Sequence, residues 1–188
     1  LLYRYLELED KMPVLAHLPL ILKPDGNGKL SKRDKSGIPM FPLNWYDERT
    51  GESYTGYRET GFFPEAFVNM LALLGWNPGT PQEIFSLPEL VEAFSFELVN
   101  KAGAKFDPEK TKWFNQQYLR KKSDEELEEL FSEAFKDNLA ALTDSRLKTQ
   151  DYIKHVCRLV KEKAHFISEF WNFGTYFFIA PQAYDAEV

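Results

Sequence analysis

A series of helix starts after residue 63 is the strongest constraint on the fold of this chain. Pro64 fits the first turn of a helix, residues 66–74 are largely apolar, and Gly75 can end that helix. Asp107-Pro108-Glu109 predicts a further helix that runs to about Arg120. Because these starts follow one another along most of the chain, the sequence predicts a mainly α fold.

Three further segments carry the capping-box pattern, in which a Ser or Thr side chain and an acidic side chain three residues later cap the first turn. They are Thr80 with Glu83, Ser86 with Glu89, and Ser123 with Glu126. The last of these precedes an apolar stripe at helical spacing. The stripe consists of Leu127, Leu130, Phe131 and Ala134.

The last long helix is predicted to start near Thr149. Its apolar face is predicted to hold Tyr152, Ile153, Val156, Leu159 and Val160. Aromatic residues are concentrated in the following segment, 166–178, and core packing is the expected role of such a cluster. Pro181 then ends the helical pattern.

The first third of the chain has a different pattern. Residues 13–22 form an apolar run that predicts a buried strand. Residues 36–60 are rich in turn-forming residues and predict an ordered loop with a short hairpin.

Between these segments, residues 23–35 combine a Gly-rich turn with a basic cluster. Lys29, Lys32 and Arg33 lie close together with the hydroxyl of Ser31, and this composition suits a polyphosphate ligand. The alternative is a solvated hairpin tip with a few lysines. The segment lacks the serine or threonine after Lys29 that a Walker loop needs, and it lacks the third glycine of a dinucleotide-binding turn.

Composition narrows the possible classes of protein. The net charge of −6 argues against a general nucleic-acid coat, although residues 101–122 and 145–165 are basic and flank the acidic segment 124–133. These patches suit an RNA that touches selected faces, or they are ordinary solvated helix surface. No apolar run is long enough to span a membrane. The single cysteine, Cys157, excludes an internal disulfide and is expected to be a buried thiol in a cytoplasmic protein.

The segment Lys29-Leu30-Ser31-Lys32-Arg33 resembles the KMSKS signature of class I aminoacyl-tRNA synthetases, in the form typical of bacterial-type glutamyl-tRNA synthetases. Leu30 replaces the Met of the general signature, and Arg33 replaces its last Ser. The flanking segments are similar to the same family over nearly the whole chain. They are residues 16–22, 56–59, 64–76, 103–107 and 113–119.

This resemblance implies a glutamate–tRNA ligase, which forms glutamyl-adenylate from ATP and transfers the glutamyl group to the 3′ end of tRNA(Glu). Lys29 and Lys32 are the implied catalytic residues, and Lys29, Leu30, Ser31, Lys32 and Arg33 the implied ATP-binding residues. The implied cofactors are ATP as substrate and the Mg²⁺ that accompanies it, with no metal site in this chain. A cytoplasmic monomer without a membrane partner is expected.

The resemblance also divides the chain. Residues 1–35 would be the end of a Rossmann-type catalytic domain, residues 36–118 a stem-contact domain, and residues 119–188 the first part of a helix-bundle anticodon-binding domain. The implied tRNA contacts are Arg58, Lys105, Trp113, Asn115, Tyr118 and Arg120. No H-x-G-H-like partner motif is present, so the chain alone is expected to be inactive.

Two alternatives stay open from the sequence. One is a non-discriminating glutamyl-tRNA synthetase that also charges tRNA(Gln). The other is a free-standing helical module that binds RNA or protein, in which residues 29–33 are merely basic surface.

Overall fold

The computed structural model describes residues 1–31 and 39–180 of the chain. Helices dominate this part, which confirms the predicted mainly α fold. The helices are α1 (Leu2–Tyr5), α2 (Tyr57–Thr60), α3 (Pro64–Gly75), α4 (Leu87–Ala93), α5 (Pro108–Lys121), α6 (Asp124–Ala134), α7 (Lys136–Ala141), α8 (Gln150–Val160) and α9 (Phe170–Phe178). Short 3-10 turns cover Glu9–Lys11, Phe96–Leu98, Ser145–Lys148 and Ile167–Glu169.

In residues 1–31 and 39–180, four short strands form two separate pairs. Strand β1 (Ile21–Leu22) pairs in parallel with β4 (Ala104–Lys105). Strand β2 (Trp45–Asp47) pairs antiparallel with β3 (Glu52–Tyr54), which is the short hairpin predicted within residues 36–60.

The strand predicted over residues 13–22 is wrong for most of its length. Only Ile21–Leu22 forms a strand. Val14 is fully exposed and Leu15 is 74% exposed. An apolar run becomes a buried strand only where a neighbouring strand and a covering layer meet it, and β4 reaches no further back along this run than Leu20 and Ile21.

The helix caps are mostly as predicted. Ser86 and Ser123 each accept a hydrogen bond from the backbone N–H three residues on, and Glu89 and Glu126 complete the two boxes. Thr80 starts no helix, so that capping box is wrong. Two prolines and Gly79 surround Thr80, and the Glu83 carboxylate instead pairs with Lys110 at 2.5 Å.

Among the residues that the structure describes, buried apolar side chains form three clusters. The bundle core lies between α6, α8 and α9 and contains Leu119, Leu127, Phe131, Leu139, Ile153, Val156, Cys157, Val160, Ala164, Phe170 and Phe178. The loop cluster contains Leu30, Tyr57, Phe62, Met70, Phe106, Phe114 and Phe166. The third cluster contains Trp76, Phe85 and Leu90.

The bundle core confirms most of the predicted helix faces. Phe131, Ile153 and Phe170 are almost completely buried, and Cys157 is the buried thiol expected from the sequence. Burial raises the pKa of that thiol to about 12. The exceptions are Leu159, which is 60% exposed, and Ala134, which is also exposed. In the aromatic segment, Phe173 and Tyr176 are 39% and 58% exposed. None of the helices in residues 1–31 and 39–180 is long and apolar enough to cross a membrane.

Candidate functional site

A tight hairpin presents the start of the basic segment. The Lys23 N–H donates to the Gly28 carbonyl at 3.0 Å, and the Leu30 N–H donates to the Ile21 carbonyl at 2.8 Å. Gly26 and Gly28 have φ values of 81° and 86°, a backbone region that favours glycine. The sequence Asp25-Gly26-Asn27-Gly28 therefore folds as the turn that its composition predicts.

Leu30 anchors this hairpin in the protein. Its side chain is only 8% exposed and packs in the loop cluster. Lys29 and Ser31 on either side of it are exposed. Because side chains alternate along an extended backbone, burying Leu30 turns its two neighbours toward solvent.

The remaining residues of the signature, Lys32 and Arg33, lie outside the described residues. Pro181, the predicted helix stop, does so too.

Lys105 lies close to the same hairpin. In β4 it pairs with Leu22, and Leu22 in turn forms an antiparallel bridge with Lys29 on its other side. Two exposed lysines thus flank β1. The structure brings Lys29 and Lys105 to one small sheet, although 75 residues of sequence separate them.

Arg58 is placed by a close backbone contact. A Cβ atom on Gly56 would lie 2.2 Å from the Leu43 carbonyl carbon, so only glycine fits there. The Arg58 N–H then donates to the Pro42 carbonyl at 3.1 Å. The Arg58 side chain is 71% exposed and pairs with Glu59 at 2.6 Å.

The four residues on α5 that are predicted to contact tRNA differ in exposure. Trp113 is half-buried and packs edge-on against Phe114, with 5.1 Å between ring centroids. The Tyr118 hydroxyl lies 2.6 Å from the Phe85 carbonyl and 2.8 Å from Asn69 Oδ1. Burial raises the pKa of Tyr118 to about 12. This hydroxyl stays protonated at neutral pH and ties α5 to α3 and to the segment before α4.

Asn115 and Arg120 face the bundle. Asn115 is completely buried and accepts a hydrogen bond from the Phe63 N–H at 2.8 Å. Arg120 Nη2 donates to the Glu162 carbonyl at 2.8 Å, and its Nε lies 3.0 Å from the Glu162 carboxylate. A fully buried amide offers no surface to RNA, so the role of Asn115 in this structure is to hold the fold together.

Several residues that matter here carry no signal in the sequence. Asn69 and Glu162 look like ordinary helix or loop positions, and their partners Phe85 and Gln116 lie at least 16 residues away. Phe166 belongs to the aromatic segment for which core packing is expected, but its contact with Phe62 could not be predicted. Within the described residues, no group of three or more His, Cys, Asp or Glu side chains is placed to hold a metal ion.

Known proteins resemble this chain over nearly its whole length. The family model for tRNA synthetases class I (E and Q), catalytic domain, matches residues 1–113. Glutamate–tRNA ligase of Porphyromonas gingivalis is 52% identical over 187 residues, which cover 98% of this chain and 36% of that protein. The same enzyme of Flavobacterium psychrophilum is 57% identical over 189 residues, with 98% and 35% covered.

A solved structure agrees with these sequence matches. The crystal structure of a glutamate tRNA ligase from Elizabethkingia meningosepticum, in complex with its amino acid, matches with a TM-score of 0.85 and 44% identity. The match covers 98% of this chain and 36% of that one. The chain thus spans about a third of the length of the relatives it matches. Since the family model covers more than half of its residues, the chain belongs to the class I tRNA synthetases for glutamate and glutamine.

Proposed function

We propose that this chain is the ATP-loop and tRNA-contacting part of a glutamate–tRNA ligase. The observation that carries the proposal is the basic hairpin, in a member of this family, whose buried Leu30 holds Lys29 out into solvent. Two relatives that are more than 50% identical over this region are named glutamate–tRNA ligase.

The first chemical step would be the attack of glutamate on the α-phosphate of ATP, which releases pyrophosphate. This step needs no protein nucleophile, because in-line placement and stabilisation of the charge on the leaving pyrophosphate are sufficient. Lys29 and Lys32 would supply the positive charge, while Ser31 and Arg33 would bind phosphate oxygens. Mg²⁺ would arrive with the ATP phosphates as part of the substrate.

In the second step, a hydroxyl of the 3′-terminal ribose of tRNA(Glu) would attack the glutamyl carbonyl of the adenylate, forming the ester and releasing AMP. Arg58, Lys105 and Arg120 are basic residues suited to contact phosphates of the tRNA. The exposed part of Trp113 could stack on a base, whereas Tyr118 would act by supporting α5. We place this reaction in the cytoplasm and expect a monomer.

The proposal is tested by Lys32→Ala in the full-length gene product. Removing a charge-stabilising donor is expected to lower kcat by roughly hundreds-fold with a smaller effect on the KM for ATP. Lys35→Ala, which removes a cation of the same segment outside the signature, is the matched control and is expected to keep wild-type kcat. An unchanged kcat in Lys32→Ala would refute the catalytic role of this loop.

The same assay tests the choice of tRNA. Wild-type enzyme is expected to charge tRNA(Glu). Equal charging of tRNA(Gln) would identify the non-discriminating variety of the enzyme, and charging of neither would overturn the proposed function. The 188-residue chain by itself is expected to give no pyrophosphate exchange.

A further inference from the structure

The side chain of Asn115 joins two parts of the molecule that are distant in sequence. Its Oδ1 accepts a hydrogen bond from the Phe63 N–H at 2.8 Å, at the start of α3. Its Nδ2 donates to the His165 carbonyl at 2.7 Å, in the segment that leads into α9. A single buried amide therefore joins the start of α3 to the segment that precedes α9.

Other contacts follow the same line along α5. Gln116 Nε2 donates to the Glu162 carbonyl at 3.2 Å, and Arg120 binds the same residue. Phe166 packs edge-on against Phe62, with 4.9 Å between ring centroids. We call this set of contacts the α5 seam. Because Phe166 belongs to the same cluster as Leu30, the seam connects the packing beneath the hairpin to the bundle.

A second buried asparagine, Asn69, serves as the comparison. Asn69 is equally buried, but its Oδ1 accepts from the Phe85 N–H at 2.8 Å and from the Tyr118 hydroxyl at 2.8 Å. Both bonds lie on the α3–α5 side of the seam. In the described part of the chain, the Asn69 Nδ2 atom has no hydrogen-bond partner. The two buried asparagines are thus matched in burial and differ in whether they span the seam.

A ligand that touches both parts at once needs the angle between them to be fixed. A large RNA held by the bundle and by residues near the hairpin is such a ligand, and a misplacement of about 1 Å can lower a rate by roughly a hundredfold. ATP and glutamate are small and would not span the seam.

We propose that Asn115 is a positioning residue that fixes the helix bundle relative to the Lys29 hairpin, so that a bound tRNA reaches both. Asn115 contacts no substrate and acts through Phe63 and His165. The inference rests on the proposed function, since tRNA is the substrate that would span the seam.

The test compares Asn115→Asp with Asn69→Asp in the full-length gene product. As a carboxylate, Asp at position 115 keeps an acceptor for the Phe63 N–H but has no donor for the His165 carbonyl or for the Gly61 carbonyl, which lies 3.4 Å from Asn115 Nδ2. Asp at position 69 still accepts from the Phe85 N–H and from the Tyr118 hydroxyl. It loses no hydrogen bond in the described residues, because the Asn69 Nδ2 atom has no partner there. Both changes introduce a buried carboxylate, so the pair separates the loss of the seam from the general cost of burying a charge.

The expected result is that Asn115→Asp impairs the use of tRNA and leaves the binding of ATP and glutamate unchanged. In Asn115→Asp, kcat/KM for tRNA(Glu) should fall about tenfold while the KM values for ATP and glutamate stay at the wild-type level. Asn69→Asp should leave all three at the wild-type level. The inference is overturned if Asn115→Asp equals wild type, if both variants lose tRNA efficiency equally, or if the parameters of all three substrates change together.

Two further results keep the test decisive. Should Asn115→Asp fail to fold by circular dichroism, Phe166→Leu replaces it, because leucine keeps an apolar side chain in the loop cluster and loses the edge-on contact with Phe62. Unchanged tRNA efficiency in that variant overturns the inference. A wild-type enzyme that does not charge tRNA(Glu) overturns the proposed function itself, whereas normal charging by wild type and variants alike overturns only the role of the seam.

Discussion

Two apolar segments of this chain differ in how deeply they are buried. Residues 13–20 carry as strong an apolar pattern as the inner face of α8, yet Val14 and Leu15 are exposed while Ile153 and Val156 are 2% exposed. The α8 face meets α6 and α9 in one closed cluster. Residues 13–20 lie against no comparable layer in the described part of the chain. Apolar composition alone therefore does not decide burial, because a matching surface must be within reach.

The largest expected effect tests this contrast directly. Phe170→Ala in the bundle core should lower the free energy of unfolding by about 3–5 kcal/mol, because it removes a completely buried ring and leaves a cavity. Leu15→Ala should change it by less than about 0.5 kcal/mol. Urea unfolding of the 188-residue chain, followed by circular dichroism, measures both. Equal losses would mean that residues 13–20 are packed in solution.

A smaller effect on stability is expected at the helix starts, where two capping patterns of the same kind can be compared. Ser123→Ala should lower the free energy of unfolding by about 1 kcal/mol, because the hydroxyl accepts from the Glu126 N–H at the start of α6. Thr80 has the same sequence pattern and begins no helix, so Thr80→Ala is the control and should have almost no effect. The same urea experiment applies. A similar loss at Thr80 would show that the predicted cap forms after all.

The smallest effect concerns charge on the outside of the bundle. The hydrogen bond from Arg158 holds the pKa of Asp124 below its usual value of 3.8. As the pH falls below that value, the unfolded chain takes up a proton before the folded one does, so this contribution to stability is present above pH 3.8 and is lost in acid.

Comparing the urea midpoints of wild type and Asp124→Asn between pH 7 and pH 3 measures this contribution. Wild type is expected to be the more stable at pH 7, and the gap is expected to close in acid. Because the pair is exposed to solvent, the gap should be small. A gap that widens in acid would contradict the assignment.

The comparison also explains how far the sequence could predict the structure. Helix starts are local, so Pro64, Ser86 and Ser123 could be placed from a few neighbouring residues. Burial is not local. The exposed position of Leu159 and the failed strand over residues 13–20 both depend on what packs against these segments from elsewhere in the chain.

In the candidate site, too, local features could be predicted from the sequence and non-local ones could not. The glycine-rich turn before Lys29 follows from residues 25–28 alone, and the structure shows it as a hairpin. Asn115 could not be assigned correctly, because its partners lie about 50 residues away on both sides. From the sequence alone, a polar residue in a basic helix is as consistent with a surface role as with a buried one. The roles of Lys29, Lys32 and the proposed tRNA contacts stay predictions.

The burial of Leu30 between two exposed neighbours has a consequence for the range of sequences that this hairpin tolerates. Position 30 is selected by volume and apolarity, so a library of variants should retain leucine, methionine and similar side chains there. Lys29 is exposed, so the shape of the side chain at position 29 should matter little to folding, and a requirement for charge there rests on the proposed phosphate binding. Residues 29 to 31 thus place one side chain under the constraint of the folded core and its two exposed neighbours outside that constraint, so a screen for stability alone would recover only the requirement at position 30.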